Sequence, residues 1–539
     1  MKPSTGFLWL GLSLSTLLSC KHSESSQIAS SDNAAGEHYQ INREQPRLCT
    51  AIRGNGPLIW AHFASMAKIL ETEGLVEGVA GGSSASISSF LYESMLTNPA
   101  IWKNCSSGAC SSQEVAARLA FMMKTLPLWL DTAKESKEAV ALAYVAETAK
   151  TVKSFDFKSL DVNEITKLKD ALGELKKLLL SSTIRGLLNK DFLDFITPKA
   201  TDNLESLSFR AQEAKDGLVN FGKFSAKSSN ILYRPGLLDF KAVAALFASI
   251  GDFYAGAAGE SAKAWPSLLG ECSPLARDKT PWDMKGQPCE KSIKSAMERF
   301  LREDRSMQVK RGDSRVGDVI PAIASTAILI KGQEIWEEGQ KAYFRGQTTE
   351  LKFPDGAVRF GYASNFAEGE RLKQTMPNFG DKRSSMYQSL GAMRWVDFMS
   401  VSPAEPGLAS ALTFKDAESK NLLSFGGWSD LSPVMVLKAA NCQKVIYVTR
   451  EGEDSEFAQG VAGLVGLNPI HDELFSLGNN KSSFSEALNR ADAVYCTKWN
   501  DYNGTSLEDI KNTFTQAYRG GVLYKGDRTG APVGCAKIP

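Results

Sequence analysis

Residues 47–94 read RLCTAIRGNGPLIWAHFASMAKILETEGLVEGVAGGSSASISSFLYES, and the fold class can be predicted from this segment. Its apolar runs near Leu48 and Val79 predict strands. Each run is followed by a glycine-containing turn and then by a segment of helical character. Strands and helices that alternate in this way are typical of α/β proteins, so the stretch predicts the α/β class.

Strand signals return after residue 347. The segments 351–353 and 358–362 flank Pro, Asp, Gly and Ala at 354–357, which is the turn chemistry of a hairpin. The apolar runs 444–448 and 493–496 predict buried parallel strands.

Helical periodicity dominates between these two parts. A helix is predicted after Asn163, a residue that can cap it, and further helices over 131–148 and 237–253. The helix after Asn163 has an apolar stripe that faces either the protein core or a lipid surface. The stripe consists of Ile165, Leu168, Leu172, Leu175 and Leu179.

The economical arrangement is one α/β domain interrupted by a helical insertion. Its first part is expected at residues 46–110 and its second at 332–539, with the insertion at 111–331. An unstructured loop of about 200 residues inside a domain would be implausible.

Composition excludes two broad classes. The 539 residues include 62 basic and 61 acidic side chains, so the formal net charge is +1. The chain therefore lacks the excess positive charge of a general nucleic-acid binder. The apolar fraction of 43% is ordinary for globular proteins and excludes wholesale disorder.

The N-terminal segment predicts an exported protein. Lys2 precedes a Leu-rich, uncharged run at 7–18, which predicts a signal peptide over 1–19. The sequence Leu-Leu-Ser-Cys at 17–20 resembles a bacterial lipobox. That resemblance implies a lipidated Cys20, a flexible tether over 20–45, and a lipid-anchored place in the bacterial cell envelope, at the outer membrane or on the periplasmic face.

The remaining cysteines predict disulfides. The chain has nine cysteines, and eight remain after Cys20, an even number in an exported chain. Local pairing is expected for Cys105 with Cys110 and for Cys272 with Cys289. Zinc is the rival interpretation, but no Cys-x2-Cys pair exists and there are only four histidines, so no metal is expected.

Two glycine-rich turns are candidates for chemistry. The first, Gly54-Asn55-Gly56, follows the first predicted strand, where backbone amides can converge on an anion. The second, at 79–86, runs from a strand into a helix and suits a nucleophile elbow, which needs small residues two before and two after its serine. Both Ser83 and Ser84 meet this requirement, so the register stays open by one residue.

A serine nucleophile needs a base. His22 and His38 lie in the predicted tether, His62 falls on the first predicted helix and is expected to pack there, and His471 lies in a loop. A carboxylate that acts directly on the serine is therefore the leading option.

Taken together, the order of these segments resembles the patatin-like phospholipase family. The resemblance rests on the glycine loop 54–56, the elbow 81–85, the stretch Ser402-Pro403-Ala404-Glu405-Pro406-Gly407-Leu408, and the block 425–434, which looks like the family's Asp-Gly-Gly segment. It implies a three-layer α/β/α sandwich, a Ser-Asp dyad and an oxyanion hole at Gly54, Asn55 and Gly56.

The chain departs from the family pattern at three positions. Asn55 replaces a glycine, Ala85 replaces the second elbow glycine, and Phe425 stands where the dyad aspartate belongs. Asp430 is the candidate replacement, and its alternative role is to cap a helix that begins near Pro433. Asp355 is assigned to the hairpin turn instead.

The sequence thus predicts a serine lipid acyl hydrolase, similar to phospholipase A, with Ser83 and Asp430 as its catalytic pair. No cofactor is expected. The expected partners are membrane phospholipid or another lipid ester and the membrane surface, not nucleic acid, and no oligomeric state is predicted. The alternative is an inactive envelope lipoprotein of the same fold that binds lipid or a protein partner.

Overall fold

A computed structural model describes residues 40–537 of the chain apart from short internal gaps. The gaps are 55, 57–58, 106–109, 158–163, 220–231, 306–309, 348–352, 355–356, 366–386, 405–407, 427–431, 452–486 and 499–505. The predicted signal peptide, Cys20, Asn55, Asn163, Asp355, Asp430 and His471 therefore lie outside the described residues.

The described strands form one sheet around a parallel centre. They are β1 (Leu48–Ile52), β2 (Gly78–Gly82), β3 (Ala322–Leu329), β4 (Val358–Ala363), β5 (Tyr387–Ser389), β6 (Leu412–Lys415), β7 (Asn421–Ser424), β8 (Lys444–Arg450), β9 (Ala493–Thr497) and β10 (Val522–Lys525). Their order is β10-β9-β8-β1-β2-β3-β4-β5, with β7 paired to β3 and β6 to β7. The five strands from β9 to β3 are parallel, and β10, β4 and β7 are antiparallel to their central neighbours.

Helices flank this sheet. They are α1 (Ile59–Thr72), α2 (Ser84–Leu96), α3 (Ser112–Thr125), α4 (Lys137–Lys153), α5 (Ile165–Ser181), α6 (Lys190–Ile196), α7 (Leu204–Val219), α8 (Phe240–Ala255), α9 (Gly259–Ser267), α10 (Pro288–Arg302), α11 (Gln333–Phe344), α12 (Trp395–Val401), α13 (Val434–Ala439) and α14 (Leu507–Gly520). The predicted α/β class is confirmed.

Side chains that alternate along the central strands fill two cores. Ile52, Val79 and Ile446 belong to the core that also contains α1 and α2. Ala51 and Tyr447 point the other way, into the core beneath α13. Strands buried on both faces lose the polar alternation of a half-exposed sheet, which explains their continuous apolar runs.

The helical stripe predicted after Asn163 faces the core. In α5, Leu168, Leu172, Leu175 and Leu179 are buried, whereas Ile165 is 41% exposed. No single helix in the described part of the chain is long and apolar enough to cross a membrane; α8 and the following segment Gly259–Cys272, bent by 47°, meet that requirement only as a pair.

Strand β3 lies inside the segment predicted as the helical insertion. Residues 322–329 pair in parallel with β2, so the helices inserted between β2 and β3 end with α10. Strand β4 also differs from the expected hairpin, because its described partners are β3 and β5 while Phe353, just before the turn, is not in a strand.

All eight remaining cysteines pair, as predicted. Both expected local disulfides are present, Cys105–Cys110 and Cys272–Cys289. Two long-range bonds accompany them: Cys49–Cys442, which joins β1 to the start of β8, and Cys496–Cys535, which joins β9 to the C-terminal segment.

Candidate active site

The order in which the chain adds parallel strands to the sheet reverses direction at β1. From β1 the chain proceeds to β2 and β3 on one side, and later to β8 and β9 on the other. In open α/β sheets, ligands bind at the carboxyl ends of the strands where the order reverses in this way. The loop after β1 and the turn after β2, both singled out from the sequence, lie at this edge.

Ser83 forms the turn between β2 and α2. Its backbone has φ 54° and ψ −133°, and a positive φ is rarely adopted by residues other than glycine. The turn brings the chain back on itself so closely that a Cβ on Gly81 would lie 2.6 Å from the carbonyl carbon of Ala85. Since Ser84 is already the first residue of α2, the geometry favours Ser83 as the elbow serine.

The Ser83 hydroxyl does not cap helix α2. Serine is a favoured N-cap, yet within the described first turn of α2 the Ser83 side chain accepts no capping hydrogen bond. The positive end of the helix dipole lies beside this residue and favours negative charge there. Ser83 is only 2% exposed, which limits water around its hydroxyl.

The glycine loop lies beside this turn. In the β1–β2 register Ile52 is opposite Gly81, so Arg53 and Gly54 follow β1 at the same edge of the sheet at which β2 ends at Gly82 and is followed by Ser83. Gly56 has φ 52°. The buried Arg53 guanidinium donates a hydrogen bond to the hydroxyl of Thr449 on β8 at 3.3 Å, which adds positive charge to this edge.

His62 connects the glycine loop with the helix that follows the elbow. It lies on α1, fully buried as predicted, with its Nδ1 3.1 Å from the Ser88 hydroxyl on α2. Burial lowers the pKa of His62 to about 3, although a hydrogen bond with the Arg53 backbone opposes this shift. The imidazole is therefore neutral at ordinary pH and acts as a packed hydrogen-bonding group.

The stretch that begins at Ser402 contacts the elbow directly. Its hydroxyl accepts a hydrogen bond from the Ser83 backbone amide at 3.0 Å and donates one to the carbonyl of Ser325 on β3 at 2.6 Å. The following Ala404 packs against Gly426, where an added Cβ would overlap the Ala404 carbonyl oxygen. The structure thus brings the elbow and the 402–404 and 425–426 segments together.

Phe425 has no catalytic group to offer. Its amide donates to the carbonyl of Ala327 at 2.9 Å, its ring is buried in the core, and the chain then turns at Gly426. Gly426 is held by the Thr326 hydroxyl, which donates to its carbonyl at 3.0 Å. Beyond the undescribed residues 427–431, the Ser432 hydroxyl lies 2.8 Å from that of Tyr447 on β8.

The hydrogen bonds of Ser325 and Thr326 beside this turn were not predictable from the sequence. Both residues lie on β3, inside the segment predicted as the insertion, and no local pattern marks them. Ser402 was included through its resemblance to a family stretch, without a role. Among the described residues, no group of three or more His, Cys, Asp or Glu side chains is arranged to hold a metal ion.

Comparison with models of known protein families and with curated proteins finds no match.

Proposed function

We propose that this protein is a serine lipid acyl hydrolase with a patatin-like, three-layer α/β/α arrangement. The observation that carries the proposal is the positive φ of Ser83 in a strand-to-helix turn at the carboxyl edge of the parallel strands. A serine with this strained backbone, next to a glycine loop and at a helix N-terminus, supports the role of a nucleophile.

In the proposed reaction, Ser83 attacks the carbonyl of an acyl ester while a carboxylate takes its proton. The tetrahedral intermediate is held by backbone amides of the loop Gly54-Asn55-Gly56 and collapses to an acyl-serine, as the proton passes to the departing alcohol. Water, deprotonated by the same carboxylate, then releases the fatty acid and regenerates Ser83.

Asp430 is the proposed carboxylate. It belongs to the undescribed residues 427–431, whose described flanks are Gly426 beside β3 and Ser432 beside β8. The ends of β1 and β2, with the glycine loop and Ser83, lie between those two strands in the sheet. Asp430 therefore belongs to a segment whose described flanks, Gly426 and Ser432, are bonded to strands on the two sides of β1 and β2.

Lipidation of Cys20 is part of the proposal. It would hold the domain at a membrane surface in the cell envelope, close to phospholipid or another lipid ester. Labelling with a radioactive fatty acid should be lost in Cys20→Ser, whereas soluble ester hydrolysis by the purified protein should not change.

The direct test compares phospholipid and short-chain ester hydrolysis by the wild type and three variants. Ser83→Ala should lower turnover by about a thousandfold or more, and Asp430→Asn by about a hundredfold or more. Ser84→Ala, next to the nucleophile, is the matched control and should retain turnover. Unchanged turnover in Ser83→Ala would overturn the proposal; unchanged turnover in Asp430→Asn alone would assign the base to another carboxylate.

The second candidate function is a lipid-binding or partner-binding lipoprotein without catalysis. Its support is Phe425, which stands where the resemblance to the patatin-like family expects the dyad aspartate, and whose ring is buried. This candidate predicts that a folded protein is not labelled by a serine-directed fluorophosphonate and still binds phospholipid vesicles.

A further inference from the structure

A single hydroxyl holds the elbow to the neighbouring strand. The hydroxyl of Ser402 accepts from the Ser83 amide at 3.0 Å and donates to the Ser325 carbonyl at 2.6 Å. The last registered pair of β2 and β3 is Gly82 with Ser325. The Ser402 hydroxyl therefore bridges β2 and β3 where their pairing ends. It gives the Ser83 amide a hydrogen-bond partner beyond the last residue of β2.

Ser402 is held in place by the end of helix α12. It follows α12 directly, its own amide donates to the carbonyl of Phe398 at 2.9 Å, and its side chain is fully buried. Its position is set by the helix and not by the elbow, so it can act as a fixed support for Ser83.

The support matters because Ser83 is strained. Its φ of 54° and ψ of −133° are unfavourable for a residue with a side chain, and such a conformation persists only where the surroundings impose it. The same backbone angles set the direction of the Ser83 Cα–Cβ bond, which carries the hydroxyl. A hydrogen bond that fixes the Ser83 amide therefore also restricts where the hydroxyl can lie.

We infer that Ser402 is a positioning residue that keeps the Ser83 hydroxyl aimed at the acyl carbonyl; this inference rests on the proposed function. Ser402 is not the base, because its one hydroxyl proton is donated to Ser325 and its oxygen accepts from the Ser83 amide. It acts on the reaction only through the backbone of Ser83.

The test follows the reaction of a fluorophosphonate with the full-length protein and records two quantities, the labelling rate constant and the fraction finally labelled. Ser402→Ala should lower the rate constant by about tenfold to a hundredfold, as expected for one lost buried hydrogen-bond partner, while the labelled fraction stays complete. Ester hydrolysis by the same variant should lose kcat with little change in KM.

Ser400→Ala is the matched control. The Ser400 hydroxyl is also buried and donates to a backbone carbonyl, that of Asp397 at 2.6 Å, on the same helix end. This variant should label at the wild-type rate, because no hydrogen bond joins Ser400 to the elbow among the described residues.

The possible results separate the two proposals. A wild-type rate constant in Ser402→Ala overturns the positioning role alone, whether the labelled fraction is complete or reduced, since a merely structural residue would change only the fraction of folded protein. An equal slowing in Ser400→Ala also overturns it. A wild-type protein that is folded but never labelled overturns the proposed function, and the role of Ser402 with it.

Discussion

Replacement of Gly81 by alanine should damage both the fold and the elbow. A Cβ at this position would lie 2.6 Å from the Ala85 backbone carbon and oxygen, about 0.8 Å short of the 3.4 Å at which ordinary contact begins. Helix α2, which carries Ala85, is buried along its whole length and has no room to retreat. Overpacking of this kind costs about 1–3 kcal/mol, and a displaced Ser83 should react about tenfold to a hundredfold more slowly.

Two assays test this prediction, one of stability and one of labelling rate. Urea unfolding followed by tryptophan fluorescence should show a lower midpoint for Gly81→Ala, and fluorophosphonate labelling of the folded variant should be slower. Gly173→Ala is the control, because a Cβ at this position in α5 meets nothing within 4 Å. It should stabilise the protein by about 0.5–1 kcal/mol, since alanine favours a helix over glycine.

The double variant Gly81→Ala/Ala85→Gly separates the side-chain contact of Ala85 from its backbone contacts. It removes the contact with the Ala85 Cβ at 2.7 Å but not the backbone contacts at 2.6 Å, so rescue should be partial. Wild-type stability and wild-type labelling in Gly81→Ala would refute the close approach on which the elbow assignment depends.

Three further predictions concern groups around the site and the core. The His62 pKa of about 3 lies below the unfolded value of 6.5, so protons favour unfolding, and the wild type should lose about 3 kcal/mol relative to His62→Gln between pH 6.5 and 4, measured by urea unfolding. Lys124→Met should cost about 3 kcal/mol of unfolding free energy, because the buried ammonium lies 2.5 Å from the buried Glu71 carboxylate, which would lose its counter-charge. Replacing Cys49 and Cys442 by alanine should lower stability by up to about 5 kcal/mol, because their bond closes a loop of 393 residues, and the thermal unfolding temperature should fall accordingly.

Each of these predictions has a contradicting result. A pH-independent difference between the wild type and His62→Gln would show that the imidazole is not buried neutral. Lys124→Met as stable as the wild type would mean that Glu71 needs no counter-charge. Unchanged thermal stability after loss of the Cys49–Cys442 pair would mean that this bond does not form in the folded protein.

Local patterns were sufficient to predict the first and last parts of the sheet. The stretch from β1 to α2 and the strands β8 and β9 lie as expected, because glycine turns and apolar runs are local signals. Strand β3 was missed because its sequence, AIASTAIL, is small or apolar throughout. A strand buried on both faces has no alternation that separates it from a buried helix.

Long-range pairing explains the other differences. Residues 355–356 of the predicted turn lie outside the described residues. Strand β4 begins at Val358, as predicted, but it pairs with β3, about 30 residues earlier in the chain, and turn chemistry carries no information about such a partner. The hydrogen bond from Ser83 to Ser402 spans 319 residues and depends on where α12 ends. Small residues at 81 and 85 predicted the elbow, whereas only the backbone conformation favours Ser83 over Ser84.

The central claim, that Ser83 is an acyl-accepting nucleophile, is tested most directly by locating a covalent adduct. The full-length protein is treated with a fluorophosphonate, digested, and sequenced by tandem mass spectrometry across residues 78–94. The proposed function predicts one adduct per chain on the Ser83 oxygen and none in Ser83→Ala. An adduct on Ser84, or a folded protein that carries no adduct at all, would contradict it.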